Sequence, residues 1–340
     1  MAVDKLKPND PRVESHTANL RGKTYKYILG KPEGTPRATV LLVHGWPDLG
    51  FAWRYQVPYL LSLGLQVVVP DVLGYGGTDA PQDVALYSLK SVGDDLAELA
   101  RLVVGDGETI ILGGHDWGGA LVWRFALWHP ELLRGVFSVC TPYSAPSARF
   151  LEYDEYVSHL PNFRYQIQLA GPDVEREIGS DPRKLRNFLA GLFWAKTPEG
   201  KGGFSTDRGV LLENLDAIGD SPLLDDEELQ FYVKEYSRNG MRGPLNWYRT
   251  RKINFEEELA LIKDGEKPRI KTPALIVLAN NDIALPPRIA AGMDEHFDNL
   301  TKGEVDGTHW ALWDSTELVN AQIGKFIESV LTGPSAKASI

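Results

Sequence analysis

The stretch Gly114-His-Asp-Trp-Gly118 stands between an apolar run at 109–112 and a helix-like stretch at 119–127. This order predicts a buried strand, a sharp turn at Asp116 and a helix, which is the setting of a nucleophile elbow. Gly114 and Gly118 favour such a turn because neither carries a side chain that would crowd it. The position at the tip of this turn usually holds serine, so an aspartate there indicates a different chemistry.

The aspartate decides which bond this turn could break. A serine that attacked a saturated carbon would form an ether, which water does not cleave under mild conditions. A carboxylate that attacks the same carbon forms an ester, which water can hydrolyse. Asp116 therefore predicts displacement of a leaving group from a saturated carbon, followed by ester hydrolysis. The structural alternative is an aspartate that merely caps the next helix.

Short apolar runs alternate with helix-like stretches on both sides of the elbow. The runs lie at 38–43, 65–69, 136–140 and 273–278. Continuous apolar strands between helices are typical of a mainly parallel sheet with helices on both faces. The more polar segment at 24–28 predicts additional antiparallel strands at one edge of that sheet.

The pattern changes between about Pro142 and Arg251, where aromatic residues and helix-like stretches replace the apolar strands. We interpret this part as a helical insertion above the strand ends, where open α/β sheets bind ligands. The predicted division is a core from 1–143 and 252–340, with a cap from 144–251.

The composition restricts the partners and the compartment. The 340 residues carry a net charge of −10, which argues against nucleic acid as the main partner. A single cysteine, Cys140, excludes an intrachain disulfide. No run approaches the ~18 apolar residues of a membrane span, and the first twenty residues have no signal-like apolar centre. We expect a cytoplasmic protein, and the oligomeric state stays open.

Three further parts of a covalent hydrolase can be placed on the sequence. His44-Gly-Trp-Pro47 follows a strand, so the backbone N–H groups of Trp46 and Trp117 are predicted to form the oxyanion hole. His309 is the predicted base, because the histidine comes last in chain order in elbow enzymes. Asp282, after the 273–278 run, is the predicted orienting acid. Asp306 and Asp294 are weaker candidates for that acid.

Taken together, these motifs resemble those of the soluble epoxide hydrolases of the α/β-hydrolase superfamily. Two segments of the predicted cap, 163–166 and 242–249, strengthen the resemblance. It implies the α/β-hydrolase fold and conversion of epoxides to vicinal diols. It also implies that Tyr165 and Tyr248 hold and protonate the epoxide oxygen. The phosphatase domain of some vertebrate members is not expected, and neither a metal nor an organic cofactor is predicted.

The substrate pocket and the rival functions are less sharply defined by the sequence. Phe51, Trp247, Trp194 and His44 are predicted to contact a substrate, which we expect to be an apolar, aryl or fatty-acid epoxide. A haloalkane dehalogenase would use the same nucleophile, with Trp117 and Trp194 as possible halide donors. A non-catalytic ligand receptor of the same fold is the second alternative, although such proteins usually lose a member of the triad.

Overall fold

The apolar runs of the sequence form an eight-stranded sheet in the computed structural model, which describes residues 3–333. Its strands are β1 (Val13–Leu20), β2 (Lys23–Gly30), β3 (Thr39–Val43), β4 (Gln66–Pro70), β5 (Ile110–His115), β6 (Leu133–Val139), β9 (Ala274–Ala279) and β10 (Leu300–Val305). The strands β7 (Phe204–Ser205) and β8 (Gly209–Val210) form a small separate hairpin. The spatial order in the sheet is β1-β2-β4-β3-β5-β6-β9-β10.

Six neighbouring strands from β4 to β10 pair in parallel, and β1 and β2 add two antiparallel strands at one edge. The predicted antiparallel edge is therefore confirmed. Because the parallel strands run the same way, their carboxyl ends meet at one rim of the sheet. The loops that follow β3, β5 and β9 meet at this rim and carry the candidate site.

Helices cover both faces of the sheet. The core helices are α1 (Gln56–Ser62), α2 (Leu89–Val104), α3 (Trp117–Trp128), α11 (Ala311–Asp314) and α12 (Thr316–Thr332). Successive residues of β6 show the two faces, since Phe137 packs against Phe326 of α12 and Ser138 lies beside Gly119 of α3. The mainly parallel sheet between two helical layers confirms the predicted fold class.

The chain between β6 and β9 is mainly helical, and it includes the β7–β8 hairpin. Its helices are α4 (Tyr153–His159), α5 (Tyr165–Ala170), α6 (Asp173–Ile178), α7 (Pro182–Leu192), α8 (Asp226–Asn239), α9 (Arg242–Arg249) and α10 (Arg251–Glu258). The division of the chain at 143/144 and 251/252 stays a prediction, and its last segment extends past residue 333. Within residues 3–333 no helix is both long and apolar enough to cross a membrane.

Candidate active site

Asp116 lies on a tight turn between β5 and α3. Its φ of 52° and ψ of −121° are uncommon for a residue with a side chain. A side chain on Gly114 would overlap the backbone of Gly118, and one on Gly118 would overlap the backbone of Val43. The hydroxyl of Thr141 donates a 2.8 Å hydrogen bond to the carbonyl of Asp116. The glycines thus permit the close approach of strand and helix, and Thr141 helps to hold the turn.

Two backbone amides face the Asp116 carboxylate. The N–H of Trp46, in the loop after β3, donates to Oδ1 of Asp116 at 2.7 Å. The N–H of Trp117, the first residue of α3, also lies close enough to this carboxylate to lower its pKa. Both amides predicted as oxyanion donors are therefore found at Asp116. A small residue is required beside them, because a side chain on Gly45 would collide with the carboxylate.

His309 and Asp282 complete the group from the loops after β10 and β9. Nε2 of His309 lies 3.6 Å from Oδ2 of Asp116, and its Nδ1 lies 2.8 Å from Oδ2 of Asp282. Oδ1 of Asp282 accepts 2.8 Å hydrogen bonds from the amides of Ala284 and Leu285. Nδ1 of His309 therefore donates to Asp282, which leaves Nε2 directed at Asp116. Asp306 and Asp294 bind other residues, Asn281 and Lys302.

The charges of this group influence one another. Burial alone would lower the pKa of His309, but Asp282 and Asp116 raise it to about 9. Burial raises the pKa of Asp116, and the charge of His309 and the amides of Trp46 and Trp117 oppose that rise. For Asp282, the attraction of His309 outweighs burial and lowers the pKa. The raised pKa of His309 thus favours its charged form at neutral pH.

Tyr165 begins α5 and Tyr248 lies near the end of α9, both in the chain between β6 and β9. Their ring centroids are 6.1 Å apart, and both side chains are almost fully buried. Tyr248 packs edge-on against Trp117 and Trp46, at 5.3 and 5.5 Å. Burial, with smaller contributions that include the charge of Asp116, raises the pKa of both phenols. Burial therefore favours the protonated form of both phenols.

A cavity of about 420 Å³ opens beside this group. Asp116, Trp117, Tyr165 and Tyr248 line one part of it. The remaining wall is largely apolar and aromatic, with contributions that include Trp123, Tyr143, Phe150, Tyr156, Phe163, Leu285 and Ile289. A concave, mostly apolar space with a few converging polar groups is the usual form of a small-molecule site.

Comparisons with known proteins agree with this geometry. A family model described as the alpha/beta hydrolase fold matches residues 38–316. Epoxide hydrolase srdG of Neurospora crassa is 44% identical over 97% of this chain and 100% of its own length. The chain belongs to the epoxide hydrolase family of α/β-hydrolases.

More distant epoxide hydrolases match as well. The bifunctional epoxide hydrolase 2 of Sus scrofa is 32% identical over 92% of this chain, and the match spans 56% of that protein's length. The structure of an epoxide hydrolase from Vigna radiata covers 94% of this chain and 98% of its own, with a TM-score of 0.78 and 22% identity, which shows the shared fold. Epoxide hydrolase A from Mycobacterium thermoresistibile covers 93% and 98%, with a TM-score of 0.73 and 26% identity.

None of the four residues predicted to contact a substrate lines this cavity of the epoxide hydrolase. Phe51 packs against Phe231 and Tyr232 outside the cavity wall. Nε1 of Trp247 donates to the carbonyl of Leu73 at 3.0 Å, which turns the indole away from the cavity.

Trp194 and His44 also lie outside the cavity wall. Trp194 is 44% exposed, in the loop after α7. His44 is fully buried, and its Nε2 accepts a 3.0 Å hydrogen bond from the amide of Val72. Contact of these two residues, and of Phe51 and Trp247, with a substrate stays a prediction. Phe51, Trp247 and His44 are buried in the interior, and Trp194 is exposed to solvent.

A buried acid close to the catalytic group escaped the sequence prediction. Asp48 follows the His44–Pro47 turn, is 1% exposed and accepts a hydrogen bond from the Tyr232 hydroxyl of α8. Its Oδ2 has no partner among the described residues. Burial raises the pKa of Asp48 to about 7, and its charge contributes to the raised pKa of His309. An acidic residue directly after the turn was the available signal.

One cluster of potential metal ligands lies next to the site in the described part of the chain. The ligand atoms of His115, Cys140 and His309 lie within 4.8 Å of one another. His309 is already engaged by Asp282, and Nε2 of His115 contacts the carbonyl of His309 at 2.8 Å. Burial also raises the pKa of the Cys140 thiol, whereas metals bind the thiolate. We therefore assign this cluster to packing and positioning of His309.

Proposed function

We propose that this enzyme opens epoxides through a covalent ester on Asp116. The observation that carries the proposal is the unequal setting of the two carboxylate oxygens. Oδ1 accepts from the Trp46 amide at 2.7 Å, whereas Oδ2 lies 3.6 Å from Nε2 of His309. Oδ2 attacks a ring carbon and the C–O bond of the epoxide breaks. Oδ1 stays at the amides and becomes the ester carbonyl oxygen.

Tyr165 and Tyr248 supply the acid for ring opening. The departing oxygen becomes an alkoxide, which is a strong base and leaves poorly without a proton. Both phenols line the cavity with Asp116, and their raised pKa keeps them protonated. We place both in a cap formed by residues 144–251, where they bracket the epoxide oxygen above the nucleophile.

Hydrolysis of the ester regenerates the enzyme. His309 first passes its resting proton to the phenolate left by ring opening. It then takes a proton from water, and the hydroxide attacks Cγ of Asp116. The negative charge that forms on Oδ1 is stabilised by the amides of Trp46 and Trp117. The bond between Cγ and Oδ2 then breaks, His309 returns its proton to Oδ2, and the diol leaves with that oxygen. The water oxygen remains on Asp116, whose new carboxyl group gives its proton to His309 and so restores the resting ion pair. Asp282 holds the His309 tautomer throughout.

The cavity wall favours apolar substrates. Beyond the catalytic group it presents mainly aromatic and aliphatic side chains in a space of about 420 Å³. Burial of aryl or alkyl groups against such a wall stabilises the complex by about 25 cal/mol for each Å² removed from water. We therefore propose epoxides with aryl or alkyl substituents, including epoxy fatty acids, as the substrate class. A cytoplasmic location remains a proposal from the sequence.

Isotope transfer tests the covalent route directly. Excess enzyme is mixed with styrene oxide in ¹⁸O-water for a single turnover, and the diol is analysed by mass spectrometry. The expected diol is unlabelled, because its new oxygen comes from Asp116. The peptide that contains Asp116 gains the label instead. A fully labelled diol in the first turnover means direct attack by water and overturns the proposal.

A further inference from the structure

The cavity wall contains three arginines with different surroundings. Arg124 forms a two-pronged ion pair with Glu258, at 2.8 and 2.9 Å. Arg149 pairs with Glu155 through one nitrogen, Nη2, which donates to both carboxylate oxygens at 2.7 and 2.9 Å. Arg251 has no carboxylate partner among residues 3–333. It therefore brings an uncompensated positive charge to a mostly apolar cavity.

Aromatic rings hold the Arg251 guanidinium in place. Its central carbon lies 4.7, 4.9 and 4.4 Å from the ring centroids of Phe150, Tyr153 and Tyr156. One of its nitrogens donates to the carbonyl of Leu151. Cation–π contacts fix a guanidinium without neutralising it, and they leave its remaining N–H groups available for an anion. We call Arg251 with these three rings the arginine box.

The arginine box is joined to both proposed acid tyrosines. The Tyr153 hydroxyl donates to the backbone carbonyl of Tyr248 at 3.0 Å. Tyr156 stacks on Phe163 at 5.9 Å, and Phe163 packs edge-on against Tyr165 at 6.5 Å. Arg251 follows Tyr248 by three residues, across the short link between α9 and α10. Arg251 and Asp116 line the same cavity, so one substrate bound there can contact both.

We propose that the arginine box is an anion subsite, which binds a carboxylate at the end of the substrate remote from the epoxide. This inference rests on the proposed function and narrows its substrate class to amphipathic epoxides. The carboxylate of Asp116 lies in the same wall and would repel a substrate carboxylate. The two charges thus favour one orientation, with the epoxide at Asp116 and the anionic end at Arg251. A guanidinium suits a carboxylate because its planar fork binds both oxygens.

The test compares the ω-epoxide of undecanoic acid with its methyl ester, which keeps the chain and removes the charge. The measured quantity is the ratio of kcat/KM for the acid to kcat/KM for the ester. Wild type should prefer the acid, and Arg251→Met should lower the ratio about tenfold or more, as expected for loss of a charge-assisted hydrogen bond. Arg149→Met is the matched control, since Arg149 lines the same cavity but carries its own carboxylate, and its ratio should stay near that of wild type.

Two outcomes overturn the subsite. If Arg251 only fixes the cap by stacking, Arg251→Met lowers kcat/KM for both substrates equally and the ratio does not move. A second measurement needs no variant: undecanoate should inhibit wild type at least about tenfold more tightly than undecanamide at low salt. Equal inhibition by the two also contradicts the subsite. A separate measurement distinguishes failure of the subsite from failure of the covalent route. The methyl-ester substrate is used to look for the covalent adduct on Asp116. If that adduct forms while Arg251→Met leaves the acid-to-ester ratio of kcat/KM unchanged, only the subsite is contradicted.

Discussion

Nε2 of His309 lies 3.6 Å from Oδ2 of Asp116, within an ion pair that exists only while Asp116 is a free carboxylate. Formation of an ester at Oδ2 removes that negative charge. Two unit charges about 4 Å apart attract by about 4 kcal/mol at an effective dielectric constant of about 20. The loss corresponds to roughly 3 pKa units. In the proposed mechanism, alkylation would thus convert His309 from a counter-ion to a base.

Replacement of His309 by glutamine should separate the two half-reactions. His309→Gln keeps Asp116 and the acid tyrosines, so the ester should form and then decay slowly. The adduct should accumulate and appear as a mass increase of one substrate on the intact protein. Asp116→Ala is the control and should form no adduct. Normal turnover by His309→Gln would show that another group activates the water.

The pH dependence of the two steps should differ for the same reason. In the resting enzyme the pKa of His309 is raised to about 9, chiefly by Asp282 and Asp116 against the opposing effect of burial. In the ester the contribution of Asp116 is absent, so His309 loses its proton at lower pH. Rapid-quench measurement of adduct decay should therefore give a rate that rises with pH through an apparent pKa below about 9. A decay rate that rises only at or above about 9 would contradict this coupling.

The strand ends explain why the sequence could predict that the candidate catalytic residues lie together. Asp116 and Asp282 follow strands of one parallel sheet, and His309 comes soon after β10, so their loops meet at one rim. Sequence order and strand patterning are enough to place such residues. The predicted oxyanion donors, the backbone N–H groups of Trp46 and Trp117, lie at the same rim, because Trp46 follows β3 and Trp117 follows the turn at Asp116.

The cavity wall was not predictable in the same way. Trp247 and Tyr248 are neighbours on α9, where successive side chains point about 100° apart. Only tertiary packing decides that Tyr248 faces the cavity and that Trp247 faces Leu73. Asp48 escaped for another reason, since aspartate is seldom fully buried and sequence patterns assign it to the surface.

Asp48 should make the enzyme less stable as the pH rises. Burial raises its pKa from the ordinary 3.8 to about 7, so the folded protein binds a proton that the unfolded chain releases. Its contribution to the free energy of unfolding therefore falls as the pH rises from about 4 through about 7. Asp48→Asn removes the ionisation but keeps an oxygen that can accept from Tyr232.

Urea unfolding at about pH 5 and about pH 8 measures this effect. The free energy of unfolding of Asp48→Asn, relative to wild type, should be higher at the upper pH by up to a few kcal/mol. Asp106→Asn, at an exposed position after α2, should give the same difference from wild type at both pH values. If the gain of Asp48→Asn does not grow with pH, Asp48 ionises normally in the folded enzyme.

The two cap tyrosines provide the sharpest test of the chemistry. Tyr165→Phe with Tyr248→Phe removes both proton donors and very little volume, so the fold and apolar binding should persist. General-acid assistance typically contributes ~10²–10⁴-fold, and turnover of styrene oxide should fall within that range. Each single variant should lose less, because one phenol can partly replace the other. Tyr143→Phe is the control, since Tyr143 lines the same cavity and its hydroxyl has no partner among the described residues.

A second substrate shows whether these phenols act as acids. Chloride is a weak base and leaves without a proton, so a site built around two phenols has no special means to expel it. We expect wild type to open styrene oxide and to leave 1-chlorobutane unchanged. Release of chloride by wild type would show that the site also expels a leaving group that needs no proton, which contradicts this expectation. A double variant as fast as Tyr143→Phe on the epoxide would mean that the leaving oxygen gains its proton from another group. In that case Tyr165 and Tyr248 would only shape the cavity above Asp116.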